Sequence, residues 1–344
     1  MLARSLVIPA LALAVSSLPA LAQQAWHAVD QGRAMELLGS LPTARAGHRT
    51  PEDTAGLQKT EELVLNHLRA LGYEPHTQDV PRPDRIAMGT PEEAPTPRNI
   101  WVDLPGEGDR AKELLVMMAH MDAVVGSPGA DDNGTGVVAL LEMARLLKDR
   151  PRQRSVRLLF TTLEEAGLHG ARRHATDTLQ PAVDAGEASI VGGISIEMLG
   201  YYSDEPGSQR SPLPPMEGLQ APDKGNFLAL LGIKRHQPFT QDFSKKMLEA
   251  EPDADVLAID MFVIPPPDIM RSDHAEFLIR DWPGAMLTDT ANFRNPNYHT
   301  PKDAIGTIDA KRFARAISQI TGATDAMANP DPPQPAEEEN AATQ

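Results

Sequence analysis

From Leu114 to Ile196 the chain alternates short apolar runs with stretches of helical periodicity, and most of the apolar runs stop at a charged side chain. Residues 114–119, 156–162 and 190–196 read as strands, and 136–147 and 167–178 as helices, an order that builds a sheet covered by helices. The pattern extends both ways. A helix is expected over 53–71, ending at Gly72, and a strand over 99–104. Further on, a strand over 227–233, a helix over 239–251 and a strand near 256–263 are expected. They are followed by a helix from Ser272, a strand over 285–287 and a last helix around 310–327. The prediction is a single α/β domain, with a mixed, mainly parallel twisted sheet sandwiched between helices. Residues 81–97 hold five prolines and read as a loop, and 203–225 read as a long inserted loop.

The two ends differ from this core. Arg4 precedes an apolar run over 6–15 that is too short to span a bilayer, and Ala20-Leu21-Ala22 follows it. Residues 1–22 are therefore expected to be a signal peptide cleaved after Ala22, and Pro9 and Pro19 argue against a buried helix there. The expected domain runs over 23–327, and a disordered tail rich in Pro, Ala, Asn and Glu over 328–344. No later stretch suits a membrane span, so a periplasmic or extracellular protein without a membrane anchor is expected. The chain has no cysteine, which excludes a thiolate zinc site, a cysteine nucleophile and a lipoprotein anchor. Its formal charge of −16 argues against nucleic acid and anionic membranes as partners.

Five segments carry the candidate chemistry, mostly where strands end, which is where open α/β sheets bind ligands. In His120-Met121-Asp122, residues two apart on extended backbone face the same way, so Asp122 can orient the imidazole of His120. In the segment 129–136, Asp131, Asp132, Asn133 and three glycines precede an apolar helix, more polar chemistry than a helix cap needs. Glu164-Glu165 follows a strand directly; on extended backbone one carboxylate can bind metal while its neighbour stays free as a general base. Glu197 ends an apolar strand, where an unpaired charge is costly. His299 lies in the turn-rich Asn297-Tyr298-His299-Thr300-Pro301. Each segment alone has an ordinary structural reading; together they supply two imidazoles and several carboxylates, the donor set of an oxygen- and nitrogen-rich zinc pair.

In this order the residues resemble metallopeptidase family twenty-eight, the two-zinc exopeptidases that include secreted bacterial aminopeptidases, from about His48 to Asp309. The resemblance implies that His120 and Glu197 hold one zinc, Glu165 and His299 the other, and that Asp132 bridges both. It further implies Glu164 as general base, Asp122 as the partner of His120, Tyr298 as a candidate oxyanion donor and a cis peptide at Asp132-Asn133. Segments 272–274 and 289–296 are similar to family segments beside the substrate cleft. One position departs: the commonest residue at 197 in the family is aspartate, and here it is glutamate. The implied activity is zinc-dependent hydrolysis of N-terminal peptide bonds in peptide or aminoacyl substrates. The alternatives are a single-zinc glutaminyl cyclase and a non-catalytic binding ectodomain of the same fold.

Overall fold

The computed structural model describes residues 29–211 and 222–330; the expected signal peptide and the tail beyond Pro330 lie outside them. Eight strands form one sheet: β1 (His76–Asp79), β2 (Arg98–Leu104), β3 (Glu113–His120), β4 (Ser155–Thr161), β5 (Ser189–Glu197), β6 (Leu228–Leu231), β7 (Val256–Ile259) and β8 (Gly284–Thr288). Their spatial order is β1-β2-β4-β3-β5-β8-β6-β7. The four central strands, β4, β3, β5 and β8, are parallel, whereas β1, β2 and β6 join by antiparallel pairing and β7 runs parallel to β6. The sheet is mixed with a parallel centre, as expected.

The seven main helices are α1 (Gln31–Ser40), α2 (Pro51–Ala70), α3 (Gly136–Leu147), α4 (His169–His174), α5 (Gln237–Ala250), α6 (Ala275–Ile279) and α7 (Ala310–Ala328). They cover both faces, and β3 shows why its sequence is apolar without alternation. Leu115, Met117 and Ala119 face the larger core with Val64 of α2, Leu140 of α3, Phe243 of α5 and Phe313 of α7. Leu114, Val116 and Met118 face a smaller core with Leu179 and Phe277 of α6. A strand buried on both sides has no solvent face to mark with polar residues. Among the described residues no helix is long and apolar enough to cross a membrane.

Several boundaries differ from expectation for local reasons. Helix α2 starts at Pro51 because Thr50 caps it, accepting from the Asp53 amide at 3.0 Å and donating to the Asp53 carboxylate at 2.8 Å. Helix α1 and the polar edge strand β1 were not expected; β1 has exposed or half-exposed side chains and exists through its ladder to β2. The expected helix over 167–178 begins at His169 and passes into a wider turn over Ala175–Leu179. The helix expected from Ser272 begins at Ala275 and lasts five residues. Ala328, expected to open the tail, is the buried last residue of α7, and its carbonyl accepts from the amides of Gln153 and Arg154.

These strands set the site. Strands β3, β4, β5 and β8 all end at one edge, with His120 opposite Thr161 and Glu197 opposite Thr288. The turn after β4 is held by the Gly170 amide, which donates to the Thr162 carbonyl at 2.9 Å. A Cβ at Gly170 would lie 2.4 Å from that carbonyl and 2.5 Å from Oδ1 of Asn99. Gly170→Ala is therefore expected to destabilise the fold by about 1–3 kcal/mol, measured as a lower urea midpoint with an unchanged slope.

Candidate metal centre

His120 is the last residue of β3 and is 1% exposed. Its Nε2 lies 3.3 Å from Oδ1 of Asp132, 3.3 Å from Oε1 of Glu197 and 4.0 Å from Oε2 of Glu164. Asp132 comes from the loop before α3, where Gly129 takes a left-handed turn (φ 61°) that leaves no room for a side chain against the Asp132 carbonyl. The other oxygen of Asp132, Oδ2, lies 3.0 Å from Nε2 of His299, which is itself 3.3 Å from Oε2 of Glu165. The five expected ligands thus form two groups that share Asp132, one oxygen turned to each. Donor atoms of His120, Asp132 and Glu165 lie within 4.8 Å of one another, and so do those of His120, Glu164 and Glu197. The Asp132-Asn133 peptide is cis, as the family resemblance implied.

Two local expectations are corrected. The Glu164-Glu165 pair is not extended: Leu163 is left-handed (φ 52°), and Gly167 and Leu168 donate back to the Glu164 carbonyl, so the pair sits in a turn. The turn still separates the two carboxylates, sending Glu165 to His299 and Glu164 towards His120. Asp122 does not orient His120 chiefly through its carboxylate. Nδ1 of His120 lies 3.1 Å from the Asp122 carbonyl and 3.8 Å from its Oδ1. The Asp122 carboxylate accepts from the amides of Glu164 and Glu165, each at 3.1 Å, and so pins the turn that carries both acids.

Other supports were missed because they lie far away in sequence and look ordinary. Asp303 accepts from the amides of Asp131 and Asp132 at 2.9 and 3.1 Å. Arg45, 1% exposed, donates to the carbonyls of Pro42, Met121, Pro128 and Gly129, bracing the loops beside Asp132. Ser272 donates to Oε2 of Glu197 at 2.8 Å. The two segments singled out beside the cleft also act here. Asp273 accepts from Thr161, and Asn295 donates to Asp131 at 2.9 Å. His274 is buried and burial holds its pKa down to about 4, which makes it a neutral core side chain.

The electrostatics show a shortage of positive charge. Asp122, Asp132, Glu164, Glu197 and Asp273 are all buried, and Glu165 sits at their margin. Burial, reinforced by Glu197, Glu165 and Asp273, pushes Glu164 well above the ordinary carboxylate range. Burial and then Asp132 raise Glu165 to about 7. Burial opposes the charging of His299, but Asp132 and Glu165 outweigh it and raise the imidazole to about 9. For His120, too, the surrounding acids overcome burial and raise the pKa well above its usual value. Oε1 of Glu165 is buried with no hydrogen-bond partner among the described residues. Carboxylate and imidazole donors gathered this closely, with one oxygen left over, are compatible with metal binding.

Beside this cluster lies a cavity of about 520 Å³, lined by Asp132, Glu164, Glu165, Glu197 and His299 at one end. Its walls are mostly apolar, with Phe227, Leu231, Ile259, Met261 and Met286. Tyr298 also lines it, stacked on His299 with ring centroids 3.7 Å apart, its hydroxyl accepting from Arg271 at 2.6 Å.

Comparison with known proteins gives the family and the fold. The model of peptidase family M28 matches residues 99–324. The uncharacterized protein YfbL of Escherichia coli (strain K12) is 30% identical over 285 residues, 79% of this chain and 81% of that protein. Aminopeptidase YwaD of Bacillus subtilis (strain 168) is 24% identical over 220 residues, 61% of this chain and 40% of that protein. Among solved structures, BSAP, a zinc aminopeptidase from Bacillus subtilis, superposes with a TM-score of 0.66 at 17% identity, covering 88% of this chain and 96% of that one. Porphyromonas gingivalis glutaminyl cyclase superposes with a TM-score of 0.60 at 15% identity, covering 87% and 98%. At such identities the structural likeness speaks to fold.

Removing an anchor of the Asp132 loop should be costly whatever the cluster binds. Asp303→Ala leaves two buried amides without an acceptor and is expected to lower stability by about 2–4 kcal/mol, read from urea unfolding. An unchanged midpoint would mean that Asp303 does not hold the loop.

Proposed function

The chain belongs to peptidase family M28, and on that premise we propose that it is an exported, zinc-dependent aminopeptidase that holds two zinc ions. The observation that carries the proposal is the division of Asp132, whose two carboxylate oxygens face two different histidines, each with a further acid beside it. His120 and Glu197 would hold one ion, Glu165 and His299 the other, with Asp132 between them. When bound, such a pair supplies an activated water and a polarised carbonyl.

The chain's own groups account for the remaining requirements. Glu164 stands within 4.0 Å of His120 and is held by its amide to Asp122. Its carboxylate lies beside the residues that would hold the ions, placed to take a proton from the attacking water and pass it to the leaving amine. The Tyr298 hydroxyl accepts from Arg271, which leaves its own proton available to a developing oxyanion. The buried carboxylates favour a substrate's α-ammonium beside the scissile bond, which would confine cleavage to the N-terminus. The apolar walls suit the side chain of the residue removed. Export rests on residues 1–22 acting as a signal peptide.

A single-zinc cyclase needs one donor group, whereas both groups here keep competent side chains, which favours the two-metal reading over the cyclase and over a non-catalytic ectodomain. Aminoacyl arylamides are expected to be hydrolysed and their N-blocked counterparts spared, with activity abolished by a chelator and restored by zinc. Cyclisation of N-terminal glutamine with one zinc per chain would replace this reading. Glu164→Gln is expected to keep its zinc content, measured by atomic absorption, and to lose roughly 10²–10⁴-fold in kcat. Near wild-type turnover would exclude Glu164 as the base.

A further inference from the structure

Two guanidinium groups, Arg210 and Arg271, line the same cavity as the acidic cluster, in a chain whose formal charge is −16. They converge on one residue: Arg210 donates to the Asn292 carbonyl, and Arg271 donates to Oδ1 of Asn292 at 3.0 Å. Arg271 also donates to the Tyr298 hydroxyl at 2.6 Å and stands 3.3 Å from Asp268. Arg210 has no carboxylate partner among the described residues. A guanidinium offers five N–H donors, so both groups keep donors in surplus. The cavity is therefore lined both by the acidic cluster with the His299 imidazole and by two guanidinium groups, one of them beside Asp268.

The spacing is short. The Arg271 guanidinium stands 5.6 Å from the centre of the Tyr298 ring, whose stacking partner at 3.7 Å is His299. The nearer cation and His299 thus both contact the same phenol, one at its hydroxyl and one on its face. An extended residue spans about 3.3–3.6 Å, so a carboxylate a residue or two beyond a bond cleaved at the cluster comes within range of Arg271. A planar guanidinium pairs with a carboxylate through two parallel hydrogen bonds, and both side chains are exposed and so open to an incoming one.

We propose that Arg210 and Arg271 form a subsite for the free α-carboxylate of a short substrate, which makes this protein selective for di- and tripeptides over longer chains. The inference rests on the exopeptidase reading and names its substrate class. The leaving segment enters with its C-terminal carboxylate on the arginines and its scissile bond at the cluster. A longer polypeptide places no free carboxylate at this point and gains no such ion pair.

The test compares Leu-Leu, Leu-Leu-amide, Leu-Glu-amide and a leucyl arylamide on the zinc-loaded wild type and on Arg210→Gln, whose guanidinium touches none of the cluster. The wild type is expected to favour Leu-Leu over Leu-Leu-amide by about tenfold or more in kcat/KM, chiefly through KM. Arg210→Gln should remove most of that preference while arylamide hydrolysis stays unchanged. Equal rates on acid and amide overturn the subsite. A preference for Leu-Glu-amide over both overturns it as well, because the arginines would then read an acidic side chain. Loss of hydrolysis of every substrate by the wild type overturns the exopeptidase reading itself, and this one with it.

Discussion

The structure depends on a concentration of negative charge that it cannot neutralise alone. Asp122, Asp132, Glu164, Glu197 and Asp273 are buried around His120, at the edge where four parallel strands end. Burying one unpaired carboxylate is already expensive, and neighbours of the same sign multiply the cost. The responses follow: Glu164 and Glu165 are raised above the ordinary carboxylate range, Asp132 is held below it by hydrogen bonds from His120 and His299 despite burial, and the imidazoles charge more readily. A parallel sheet suits this arrangement. Its strand ends bring distant residues to one line, and the cores on both of its faces fix that line rigidly.

What keeps such a cluster from rearranging is a frame of backbone hydrogen bonds made mostly by other charged groups. The Asp122 carboxylate holds the Glu164-Glu165 turn, and Asp303 holds the amides of Asp131 and Asp132. Arg45 gathers carbonyls from the loops on either side of them. Because its hydrogen bonds go to neutral carbonyls, Arg45 keeps its full charge to act on Asp132, Asp303, Asp122 and Glu165 at longer range. Burial opposes that charge, and the nearby acids sustain it. Left-handed backbone at His299 itself, and at Leu163 and Met198 next to Glu164 and Glu197, shows where the chain gives up conformational ease, of order 1–2 kcal/mol per residue, beside the site.

How much of this was legible follows the distance over which each signal acts. The central strands and α3 were readable because their apolar runs are local and continuous, and the acids and histidines that cluster at the sheet edge were picked out by charge at strand ends and turns together with the family resemblance. Strand β1 carries no such run, and its pairing with β2 is a property of the sheet. Asp303 and Arg45 look like surface residues in the sequence, and only the loop they brace gives them meaning. The Glu164-Glu165 pair shows a subtler failure. Assuming extended backbone separated the two carboxylates correctly but for the wrong reason, since a left-handed Leu163 and a turn do it.

Glutamate at 197, the one departure from the family pattern, is where sequence and structure together say more than either alone. One extra methylene gives the carboxylate more conformations than aspartate would have at the end of β5, and an unrestrained side chain would lose that freedom on binding anything. Here the freedom is already spent. Oε2 accepts from Ser272, whose hydroxyl lies 2.5 Å from that of Ser195, while Oε1 is left facing His120. The longer side chain thus presents a single oriented oxygen, as a shorter one would. The serine that imposes this stands in the segment 272–274, which the sequence had marked only as lying beside the cleft.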